Sequence, residues 1–91
     1  MGLRFDKEVD VEKLFLLNRG RRWPAVLIRM WQRSQRGYDV EAIKWWMKQF
    51  ESGVDTCLWV HRRSLEVADG NHRLIAAYYA HTPTIKVRYV R

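Results

Sequence analysis

The apolar residues of this chain change their spacing at Gly53. Before it, Val40, Ile43, Met47 and Phe50 recur at intervals of three, four and three. That is the stripe of an amphipathic helix. After Gly53 the pattern is alternation. Residues 56–61 contain Cys57, Leu58, Trp59 and Val60, and residues 65–68 alternate again. In the segment 84–90, Ile85, Val87 and Tyr89 point one way, and Lys86 and Arg88 point the other. Helices and strands therefore share a chain of 91 residues, long enough for one hydrophobic core and too short for two. The expected class is α+β, with a small mixed β-sheet and packed helices.

The remaining punctuation fills in the order. Residues 1–10 are polar and suit an edge. Residues 11–17 read as a short strand or an irregular segment docked on the core. Residues 18–22 read as a basic loop around Gly20. Pro24 suits the first turn of a helix. Leu27, Met30, Trp31 and Ser34 then follow at helical spacing, and Gly37 closes the segment. Asp39 is a good N-cap for a second helix, with Glu41 in its first turn. Residues 61–64 form a polar turn. Asp69-Gly70 breaks a strand. Residues 71–80 read as a helix with Leu74, Ile75, Ala77 and Tyr78 in its apolar arc, and Thr82-Pro83 ends it. The order is (β)-α-α-β-β-α-β, a single domain over 1–91. The strands at 65–68 and 84–90 flank a helix, so a right-handed crossover would make them parallel neighbours.

Composition narrows the function. Lys and Arg number 17 against 10 acidic residues, a net charge of +7. One cysteine excludes an internal disulfide framework and a thiolate-rich metal site. No apolar run approaches the roughly 20 residues of a membrane-spanning helix. The first residues lack a signal peptide's apolar stretch, and Asp6 stands where N-myristoylation requires Ser or Thr. The expectation is a cytoplasmic protein with no membrane partner and an anionic one. Surface solvation accounts for part of the charge. The rest is uneven: Arg19, Arg21, Arg22, Arg29, Arg33 and Arg36 fall in one segment without an acid. The arginine fork suits phosphate. Arg29, Arg33 and Arg36 are four and three apart, so a helix would place them on one ridge. With Arg21, Arg22 and Trp23 they form a candidate surface for nucleic acid or an acidic protein. A solvated helix side gives the same pattern. His61, His72 and His81 lack a zinc spacing. Cys57 reads as a small buried hydrophobe. Trp31, Trp59 and one of Trp45 and Trp46 read as core; Trp23 or the other is a candidate for an interaction surface.

The segment most suited to chemistry is Asp69-Gly70-Asn71-His72-Arg73. A strand runs into an Asp-Gly turn and a helix opens at once. Amides at a helix N-terminus carry partial positive charge and suit phosphate. Gly70 lets a ligand oxygen approach the backbone. Asn71, His72 and Arg73 stand on the first turn, and Arg73 can meet two phosphate oxygens. Asp69 is a candidate Mg²⁺ ligand. Each also has a plain structural reading, as a turn, a cap or a solvated side chain.

The run Asp-Gly-Asn-His-Arg-Leu-Ile-Ala-Ala, followed by Pro-Thr-Ile-Lys-Val, resembles the core of the ParB/sulfiredoxin superfamily. In that family a strand leads to a D-G-x-H/R-R-x-x-A-A turn and helix, then to a further strand. The strand at 56–60 resembles the family's preceding strand, and the resemblance covers about 54–90. It implies nucleotide binding at this turn, with ATP or CTP and Mg²⁺ as cofactors. Family members hydrolyse nucleotides, transfer phosphoryl groups or are reported as nucleases. Gly70, Asn71, His72 and Arg73 would then face phosphate, with His72 and Asp69 as catalytic candidates and Glu8, Glu12 or Glu66 as an undecided general base. Asn71 stands where sulfiredoxins have their cysteine, so sulfinic-acid repair is not expected. Asn71, His72 and Ile75 replace the Glu, first Arg and last Arg of partition ParB proteins. The expected function is binding of a nucleotide or of nucleic-acid phosphate at the turn, with nuclease or phosphoryl-transfer chemistry if it is catalytic. The alternative is a non-catalytic basic module, in the style of a phage or mobile-element accessory protein, contacting DNA or a host protein through its Arg/Trp surface.

Overall fold

The computed structural model describes residues 3–21 and 37–90. Seven elements follow in order: β1 (Lys7–Asp10), α1 (Val11–Arg21), α2 (Gly37–Glu51), β2 (Cys57–His61), β3 (Val67–Asp69), α3 (Asn71–Tyr79) and β4 (Thr84–Val90). The result is an α+β domain around a four-stranded mixed sheet of order β1-β4-β2-β3.

Burial explains that order. β4 alternates over seven residues and buries Ile85 and Val87, so it sits inside the sheet. It pairs antiparallel with β1 and parallel with β2. β1 is charged at Lys7, Glu8 and Asp10, which suits an edge strand. β3 has three residues and takes the other edge, antiparallel to β2 with an irregularity between Trp59 and Val60. The expectation that β3 and β4 are parallel neighbours is therefore corrected: β4 lies beside β2. A hairpin reverses the chain between β2 and β3, so the parallel partner of β4 is the first hairpin strand.

α1 is a second correction, because it occupies residues read as a strand and a basic loop. Its first turn is capped by Asp10, whose carboxylate accepts the Lys13 N–H at 2.9 Å. Val11, Leu14, Phe15 and Asn18 form its buried face. They fall at intervals of three, one and three, one side of a helix. The strand in the N-terminal part of the chain is instead β1. Gly37 begins α2 where a helix end was expected, and Asp39 lies within the first turn. The helix expected at 25–35, with Pro24 and Trp31, lies outside the described residues.

Among the described residues Asn18 is the buried polar side chain of the core. Its amide donates to Leu14 O at 2.9 Å and Leu65 O at 3.1 Å, and its oxygen accepts the Val67 N–H at 2.8 Å. Leu65 has φ +61°, an uncommon conformation for a residue with a Cβ. Asn18 thus fixes α1 to the β2–β3 hairpin at its most unusual residue. α3 contributes four consecutive buried residues, Leu74, Ile75, Ala76 and Ala77. The small side chains of Ala76 and Ala77 allow close packing. Phe15 stacks on Tyr78 at 3.7 Å between ring centres.

The three described helices share one core with Leu58, Val60, Ile85 and Val87. Alternation places Cys57, Trp59, Lys86 and Arg88 on the other face of the sheet. Trp59 and Cys57 are half-buried there, outside the core cluster to which both were assigned. Of the adjacent tryptophans, Trp46 packs on the core and Trp45 is 55% exposed.

Candidate functional site

The turn between β3 and α3 is fixed from both sides. Gly70 caps α3 with φ +110°, a backbone that favours glycine. A Cβ there would stand 2.6 Å from Leu58 Cδ2. This adds a packing requirement for glycine to the ligand-approach reading. Gly70 O accepts the Leu74 N–H at 2.9 Å, the first bond of the helix. No side-chain hydrogen bond caps this end of α3, where the helix dipole favours an anion.

Arg73 is held inward. Its Nη1 donates to Cys57 O at 2.7 Å and to Thr56 Oγ1 at 3.2 Å. Its guanidinium carbon lies 5.4 Å from the centre of the Trp46 ring. Nη2 lies 3.6 Å from Asp69 Oδ2. The Asp69 side chain is 74% exposed against 22% for Arg73. Such an exposed ion pair contributes roughly 0–1 kcal/mol. The inner bonds therefore set the orientation of the guanidinium, and Asp69 is a replaceable partner on its outer side. An incoming phosphate oxygen would compete with one weak carboxylate contact and would leave the inner bonds intact.

An open cleft of about 510 Å³ lies over this turn, lined by Trp46, Ala68 and residues 69–73. The fold thus brings Asp69, Gly70, Asn71, His72 and Arg73 together, and α2 adds Trp46 as a wall. Asp69 is the carboxylate of that lining; Glu8, Glu12 and Glu66 do not border the cleft. Glu8 instead accepts the Thr84 hydroxyl across the β1–β4 pair. Among the described residues no group of three or more His, Cys, Asp and Glu side chains gathers to hold a metal ion. A Mg²⁺ at Asp69 would take most of its ligands from phosphate and water, as this ion commonly does.

Arg21 closes α1, but its side chain is outside the described set. Arg22, Trp23, Arg29, Arg33 and Arg36 lie wholly outside it. Two features were not assigned from the sequence. Trp46 faces the turn because α2 packs beside α3, and the adjacent Trp45 gave no local sign of which ring would do so. Asn18 supports the hairpin that leads into the turn; a polar residue at the spacing of Val11, Leu14 and Phe15 was its only signal.

The chain matches no family model, and neither a curated protein nor a solved structure matches it.

Proposed function

We propose that this is a ParB/sulfiredoxin-like domain that binds the phosphate of a nucleotide, ATP or CTP with Mg²⁺, or of nucleic acid, at Gly70–Arg73. One observation carries the reading. The Arg73 guanidinium is oriented by its bonds to Cys57 O and Thr56, beside a helix N-terminus without a side-chain cap. A cation fixed in advance loses little freedom on meeting an anion. Nη2 and the first-turn amides would meet the phosphate, and His72 would stand beside it. The carboxylate of Asp69 would either move aside or share a Mg²⁺ with the phosphate. If turnover occurs, Asp69 and His72 are the groups placed to act on the phosphorus centre. The sequence features that support the family reading are the Asp-Gly-Asn-His-Arg run and the strand after its helix.

The test is a thermal-shift series with ATP, CTP and GTP, each with Mg²⁺, on the wild type and the His72→Ala/Arg73→Ala variant. A ligand that binds only the folded chain raises its melting temperature. The expected result is a rise for at least one nucleotide that the variant loses. No rise with any nucleotide, or the same rise in the variant, overturns the proposal. A hydrolysis assay on the nucleotide that binds then separates turnover from binding.

A further inference from the structure

The sheet face turned away from the described helices carries aromatic rings paired with cations. The Arg88 guanidinium lies 4.4 Å from the centre of the Trp59 ring, and β2 and β4 place these two residues directly opposite each other. Lys86 Nζ lies 4.9 Å from the Phe5 ring, and Phe5 is 41% exposed. A shallow depression of about 590 Å³ runs past Arg4, Phe5, Trp59, Arg88 and Tyr89. Its acidic member is Asp6, whose carboxylate already accepts the Tyr89 N–H at 2.8 Å. Arg62 lies 5.7 Å from the ring of Tyr89, which packs toward the core, so it stands at the end of the sheet and marks the rim of this face. Lys86 is tied to Asp55 at 2.8 Å, so Arg4, Arg62 and Arg88 are the cations best placed for a partner.

Half-buried rings with guanidinium planes over them can extend a stack to nucleobases, and arginines at the rim can meet the backbone phosphates. A duplex hides its base faces and is read in its grooves by an inserted helix or ribbon. A sheet face with flat rings suits unpaired bases. The net charge of +7 favours a polyanion over an acidic patch on a folded protein. We infer that this face binds single-stranded nucleic acid, with bases on the Trp59–Arg88 pair and on Phe5, and phosphates at Arg4 and Arg62. Recognition runs through base faces and phosphates, so the strand is bound without regard to its sugar. The site lies on the face of the sheet opposite the described helices and does not depend on the Gly70–Arg73 proposal.

The test is fluorescence anisotropy with a labelled oligodeoxythymidine of about twelve nucleotides, within the usual site sizes for such surfaces. The expected result is binding that weakens steeply with salt. Trp59→Ala weakens it about tenfold or more, the scale of one lost base stack. Trp59→Phe keeps most of the affinity. Trp45→Ala, at an exposed tryptophan on α2, leaves it unchanged. Oligouridine of the same length competes equally, and a duplex competes poorly. Arg88→Ala, a change outside the core, reads the same face if Trp59→Ala fails to fold. No binding at low salt, equal binding of duplex, or full affinity in Arg88→Ala and a folded Trp59→Ala overturns the inference.

Discussion

Arg73 and Arg88 each lie over a tryptophan, at 5.4 Å from Trp46 and 4.4 Å from Trp59, and they are held differently. Arg73 donates from Nη1 into the start of β2 and faces Asp69 with Nη2. The Arg88 side chain makes no hydrogen bond to another described residue; its ring contact places it. The first arrangement binds a turn to the sheet and leaves one outer edge to exchange partners. The second leaves a stacked pair on an open face. The comparison teaches that the same pair of residue types does different work according to what satisfies the guanidinium. Hydrogen bonds to a fixed carbonyl make Arg73 part of the fold, whereas a cation–π contact contributes only about 0.5–1 kcal/mol at an exposed site.

The largest expected effect tests how tightly the Arg73 side is built. Gly70→Val puts a branched side chain at φ +110° against Leu58, and should destabilise the fold by about 3 kcal/mol or more, read by urea denaturation. A loss well below that would mean the turn can relax. Next comes the contrast between the two arginines. Arg73→Ala strips the Cys57 carbonyl of its partner and should cost about 2 kcal/mol. Arg88→Ala should cost about 0.5–1 kcal/mol, the worth of its ring contact. Equal losses in the same denaturation series would remove the distinction.

A smaller change sharpens it. Asp69→Asn removes the outer partner of Arg73 and should alter stability by less than about 1 kcal/mol, as exposed pairs do. Titration with pyrophosphate in the absence of Mg²⁺ should then show tighter binding than in the wild type. Weaker binding would assign Asp69 a direct part in holding the anion. The smallest effect concerns the open face. The hydrogen bond from Lys86 holds the Asp55 carboxyl below its ordinary value; burial opposes this, and the Leu3 N–H and the Lys86 charge reinforce it. A lowered value means the stabilisation is present above the ordinary carboxylate pKa, about 3.9, and is lost as pH falls through the lower folded value. Melting temperatures taken from about pH 5 down to pH 3 should therefore fall slightly more for the wild type than for Asp55→Asn.

Much of the C-terminal half is legible in the sequence because its signals are local. The alternation of β4, the Ile43/Met47/Phe50 stripe and the Asp-Gly break all stand at the expected positions. α1 is not legible for a physical reason. Leu16 and Leu17 fill the gap between its buried positions, and Leu16 is 49% exposed, so the helical face looks like a continuous apolar run. The strand pairing depends on which faces bury the most, and that is settled by partners far along the chain. The motif residues of the site were readable as a unit. The inward commitment of Arg73 was not, because the carbonyl that receives it belongs to a strand sixteen residues earlier. The Trp59–Arg88 pair was hidden similarly: both residues have sound reasons to be where they are, and only the parallel register of β2 and β4 sets them opposite each other.

The most direct measurement is a ¹⁵N NMR titration of the wild type with pyrophosphate. Binding at the turn should move the amide signals of Asn71, His72 and Arg73 and the Arg73 Nε signal, and leave those of Trp59 and Arg88 in place. An unchanged spectrum, or shifts confined to the open face of the sheet, would contradict phosphate binding at Gly70–Arg73.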